Sequence, residues 1–91
     1  MADETTIYRY EVPVDGEVHT FQCSPPLFVA SRQSGVVEFW AYPDGSHAWS
    51  RAFMIIGTGH PLPVVAEGGR VAYHSSTLDG PFVWHLLEVP S

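Results

Sequence analysis

Residues 7–22 run Ile7-Tyr8-Arg9-Tyr10-Glu11-Val12-Pro13-Val14-Asp15-Gly16-Glu17-Val18-His19-Thr20-Phe21-Gln22. Tyr8, Tyr10 and Val12 alternate with Arg9 and Glu11, the period of two that places one side of a strand in a core. Asp15-Gly16 follows, two residues that tolerate positive φ and the strongest short signal of a reversal between strands. Strands are expected over 7–12, 17–22, 27–32, 36–42, 49–56, 70–77 and 82–88, each rich in β-branched or aromatic residues and bounded by turn formers. Ser34-Gly35, Pro43-Asp44-Gly45 and Asp79-Gly80-Pro81 supply further tight turns. Cys23-Ser24-Pro25-Pro26 is a stiffer corner where the chain can change sheets. No amphipathic stretch of helix length occurs. The expected fold is all-β, a small antiparallel meander closing as a sandwich or barrel of about seven strands, because one open sheet leaves its apolar face uncovered. The segments 49–56 and 82–88 become apolar on both faces, which suits central strands or a subunit interface, so a homo-oligomer is expected.

The chain has 91 residues, 45% of them apolar, with 10 acidic and 4 basic side chains and a formal net charge of −6. A single domain over 1–91 is expected, with an ordered core from about 7 to 89. Such a chain buries roughly 60–65% of its unfolded surface, enough for one modest core. Arg9, Arg32, Arg51 and Arg70 are scattered, which argues against duplex nucleic acid as a partner. The lone Cys23 excludes an intrachain disulfide framework. The start, Met1-Ala2-Asp3-Glu4-Thr5-Thr6, is acidic and unlike a signal peptide. The longest uncharged stretch, 52–66, is broken by Gly57, Gly59, Pro61 and Pro63, and no membrane partner is expected. A soluble, intracellular protein is the expectation.

One connection departs from the short turns. Residues 57–69 are expected to form a 13-residue loop with two prolines and four glycines, and loops of that length are usually functional or disordered. At its start, Gly57-Thr58-Gly59-His60 can converge backbone N–H groups into an anion-binding nest, with the Thr58 hydroxyl and His60 as added donors; the alternative is a tight turn and nothing more. There is no lysine and no following helix, so this is not a Walker-type phosphate loop. The five histidines, His19, His47, His60, His74 and His85, lack metal-ligand spacing, and neither a metal nor another cofactor is expected. No Gly-x-Ser-x-Gly elbow accompanies Ser46-His47 or His74-Ser75-Ser76, and Cys23 suits a small buried hydrophobe. No catalytic residues are therefore assigned, and a non-enzymatic protein is expected. Most of the twelve aromatic residues must fill the core. Trp40 or Trp49 beside Arg51 or Arg70 would make a platform for a nucleobase, or else part of an oligomer interface.

Tyr10-Glu11-Val12, Trp40-Ala41, Gly57-Thr58-Gly59-His60-Pro61-Leu62-Pro63 and Val83-Trp84-His85-Leu86 together resemble a short β-protein family encoded by bacteriophages and prophages. The likeness covers nearly the whole chain; Pro43-Asp44-Gly45-Ser46-His47 and the stretch 64–69 diverge from it. The resemblance implies a phage accessory protein in the host cytoplasm, and His60 and His85 fall on its pattern. It brings no catalytic residues with it. The expected role is binding, with anti-defence sequestration of a host nucleotide signal as the leading form. Gly57, Thr58, Gly59, His60, Arg51, Arg70, Trp40, Trp49 and His85 are the candidate ligand-binding residues. A protein-protein inhibitor or adaptor of a host enzyme, with the net negative charge meeting a basic surface, and a virion or assembly component are the alternatives.

Overall fold

A computed structural model describes residues 6–43, 50–63 and 71–90. They form seven strands: β1 (Tyr8–Pro13), β2 (His19–Phe21), β3 (Phe28–Gln33), β4 (Val36–Ala41), β5 (Arg51–Gly57), β6 (Ala72–Asp79) and β7 (Phe82–Val89). No helix occurs among the described residues. Every strand pair is antiparallel, and the strands divide into one sheet of order β1-β4-β3 and another of order β2-β5-β7-β6. The chain is thus all-β with two packed sheets, not a closed barrel.

Each sheet turns one face inward. Val12, Val37, Phe39 and Ala41 from the first meet Phe53, Ile55 and Leu86 from the second in one buried cluster. At its centre Phe39 lies 4.9 Å from Phe53 and stacks on Tyr10 at 5.1 Å between ring centroids, while Phe21 meets Phe39 edge-on at 5.6 Å. These contacts hold the sheets face to face. β5 and β7, the segments apolar on both sides, are the two interior strands of their sheet.

The order of strands is not a neighbour-to-neighbour meander. Ser34-Gly35 and Asp79-Gly80 do close hairpins, β3–β4 and β6–β7, each with glycine at positive φ. Asp15-Gly16 instead joins strands of different sheets, because the Val14 amide bonds the Gly35 carbonyl at 2.9 Å and keeps this end of β1 with β4. β4 and β5 also belong to different sheets and so are not hairpin partners, while Asp44 and Gly45 of the expected turn lie outside the described residues. The Cys23–Pro26 corner does carry the chain from one sheet to the other. There the Ser24 amide bonds the Tyr42 carbonyl at 2.8 Å and the Ser24 hydroxyl receives the Tyr42 amide at 2.9 Å.

Candidate functional site

β5 ends at buried Gly57, and the chain turns back through Thr58, Gly59 and His60. Phe53 and Ile55 face the core, so Ile56 points to the outside of the sheet, opposite His85 of β7. Leu87 shares that outer face and pairs with Tyr73 of β6. The corner, Leu62 and these outer-face residues line an open cavity of about 260 Å³. A second cavity of about 310 Å³ shares Gly57, Thr58 and His60 and is closed by Pro81, Phe82, Val83 and Trp84, with the Phe82 ring stacked on Trp84 at 5.4 Å.

Three polar side chains from three separate segments meet in the first cavity. His85 Nε2 lies 2.7 Å from the Thr58 hydroxyl, and His85 Nδ1 lies 3.0 Å from the Tyr73 hydroxyl. The imidazole thus joins the corner to β6. His60 is fixed differently: the Gly57 amide donates to His60 Nδ1 at 3.2 Å, so the neutral ring carries its proton on Nε2.

The expected anion nest does not form. Thr58 donates its amide to the Val83 carbonyl at 3.4 Å, and His60 donates its amide to the Gly57 carbonyl at 3.1 Å. With the Gly57 amide on His60, three of the four N–H groups at positions 57–60 are already engaged inside the chain. Gly57, Thr58, Gly59 and His60 line the cavity nonetheless, and His85 joins them.

Two other candidates lie elsewhere. Arg51 stands at the opposite end of β5, about 20 Å from the corner along the strand. Its guanidinium bonds the Cys23 carbonyl at 3.0 Å and pairs with Glu88 at 3.0 Å, and Glu88 also meets His74 Nε2 at 2.8 Å. Arg51 therefore ties β5 to β7 and to the Cys23 corner, and does not reach the cavity. Trp40 sits in the other sheet, paired with Phe28, and the cation over its ring is Arg32 at 5.5 Å. Arg32 in turn grips Glu38 at 2.8 and 2.9 Å. Trp40 is thus a platform already covered. Arg70, Trp49 and His47 fall outside the described residues.

Tyr73 is the residue that sequence reasoning missed. The register of the Gly80 turn sets Ser76 opposite His85 and, continued regularly, would set His74 opposite Leu87; the shift between Tyr73 and Ser75 puts Tyr73 there instead, and no local sequence signal marks it. A third cavity, about 340 Å³, lies between residues 26–29 and 74–76, but its His74 is committed to Glu88 and the Ser75 hydroxyl to the Ser76 carbonyl. Among the described residues no cluster of His, Cys, Asp or Glu is placed to hold a metal ion. No helix among them is long and apolar enough to cross a membrane.

Fold and site together define a small two-sheet β protein with a lined pocket at one end of its interior strands. The chain belongs to a family of domains of unknown function, DUF7352, whose model matches residues 3–91. No curated protein and no solved structure matches it.

Proposed function

We propose that this chain is a small-molecule-binding module whose guest is the flat-ring part of a nucleotide-like molecule, seated in the pocket beside Gly57–His60. The supporting observation is the convergence of Thr58, His85 and Tyr73 over an apolar floor of Ile56, Leu62 and Leu87. Ligand sites commonly combine such a floor with a few placed polar groups. The described lining offers a ring its apolar side chains, hydroxyls and imidazoles, and ring contacts are the basis of this reading. The phage resemblance extends this to a counter-defence role in the host cytoplasm, in which the protein sequesters a host nucleotide signal.

The test is titration with adenosine, AMP and uridine followed by ligand-observed NMR. Saturation transfer from the protein to the ring protons is the expected result, weakened by His85→Ala. No transfer from any of the three at millimolar concentration sinks the proposal. A second role, docking onto a host protein or onto copies of the same chain, draws support from Leu78 and Phe82, which are 71% and 54% exposed on the β6–β7 hairpin. Sedimentation of the free protein, alone and after mixing with host lysate fractions, distinguishes the two.

A further inference from the structure

The chain of atoms from the Thr58 hydroxyl through His85 to the Tyr73 hydroxyl constrains what the pocket can recognise. A neutral imidazole carries one proton, on one nitrogen. If Nδ1 holds it, His85 donates to the Tyr73 oxygen and receives the Thr58 proton on Nε2. Tyr73 then has a free O–H to offer a guest, and Thr58 has only lone pairs. If Nε2 holds the proton, the roles exchange: Thr58 offers an O–H and Tyr73 accepts. In both tautomers the two hydroxyls together present one donor and one acceptor. A third group adds to the pattern without changing with it, because His60, its Nδ1 taken by the Gly57 amide, keeps an Nε2–H. No carboxylate lines this cavity among the described residues.

We infer that the pocket selects a neutral ring bearing both a carbonyl and an N–H, the lactam pattern of an oxo-nucleobase, over a ring of the same shape that can only accept. This inference rests on the pocket holding a flat ring at all. The two hydroxyls are exposed and hydrated in the free protein, so a guest without the N–H that covers them shuts water from one acceptor without matching it in either tautomer, whereas a lactam satisfies both ends by letting the imidazole proton settle on whichever nitrogen suits its orientation. Rejection of analogues that lack a hydrogen-bonding group is a strong discriminator in sites built this way.

The experiment compares uracil with dimethyluracil, in which both ring N–H groups are capped, by NMR titration in slightly alkaline buffer. For a ring of this size, native protein should bind uracil with an affinity on the order of millimolar and prefer it about ten-fold or more. Tyr73→Phe and Thr58→Val, combined in one chain, remove both hydroxyls from exposed positions and should bring that preference to near unity, with circular dichroism checking that the fold persists. Equal binding of the two rings by the native protein overturns the inference and leaves ring capture standing. A preference that survives the double variant also overturns it, since the selectivity then arises elsewhere. Binding of neither ring overturns the inference and ring capture together.

Discussion

Gly57 shows how one residue ties strand to pocket. A Cβ built there meets His60 Cε1 at 3.1 Å, His60 Nδ1 at 3.2 Å and Trp84 Cζ3 at 3.2 Å, all closer than ordinary van der Waals contact. Gly57→Ala should therefore push His60 off its bond to the Gly57 amide and destabilise the fold by about 1–3 kcal/mol, the usual cost of overpacking, as read from urea denaturation. Weaker ring binding should accompany that loss, because His60 is the displaced neighbour. Unchanged stability would mean that the corner relaxes freely. Arg51 makes the opposite case. Arg51→Met should cost about 1–3 kcal/mol through its charged hydrogen bonds to Glu88 and the Cys23 carbonyl, yet leave ring binding unaltered. A lost ring affinity in that variant would place Arg51 back in the site. At this scale glycine and histidine at the corner were legible, since few residues other than glycine suit the φ of +90° at Gly59. The fate of each arginine was not, because ion pairing is decided by partners far along the chain, such as Glu88 for Arg51.

At the scale of elements, the two hairpins are linked by Asp79. Its carboxylate receives the Trp84 indole N–H at 3.0 Å and the Gly35 amide at 3.1 Å, joining the β6–β7 turn to the β3–β4 turn across the sandwich. Asp79→Ala should lower Tm, as should Trp84→Phe, and the double variant should fall short of the sum of the two shifts because both remove the bond from the indole N–H to the Asp79 carboxylate. Full additivity would show that the indole contact contributes nothing. Strand positions were legible because alternation and turn residues are local: β4 and β7 begin where expected, at Val36 and Phe82. Pairing was not legible. Asp15-Gly16 specifies that the chain reverses, but which sheet the next strand joins depends on the Val14–Gly35 bond and on aromatic packing at Phe39, contacts between distant residues. Hairpin register extended from the Gly80 turn leads to His74 opposite Leu87, and Tyr73 takes that place only through the irregularity between Tyr73 and Ser75.

For the molecule as a whole, the same carboxylates set how it meets acid. Glu38, only 3% exposed on the outer face of β4, is held below its ordinary 4.5 first by the hydrogen bonds from Arg32, with Arg9 at 3.2 Å adding to them. The indole of Trp84, then the Gly35 amide, hold Asp79 below its ordinary 3.8. In the unfolded chain both groups return to those ordinary values, so on acidification the unfolded state takes up protons first and gains relative to the fold. The stability these groups supply is complete above the ordinary carboxylate range and is lost as pH falls through their lower, folded values. Replacing Glu38 by Gln and Asp79 by Asn removes both titrations. The variant should be less stable than the native chain near neutrality, and the gap in Tm should close as pH falls from about 5 to about 2.5. The other charged groups are common to both proteins and largely cancel in that difference. Thermal unfolding followed across the acid range measures it, and a gap that stays constant would show that neither carboxylate is held by the fold as the Arg32 and Trp84 contacts require.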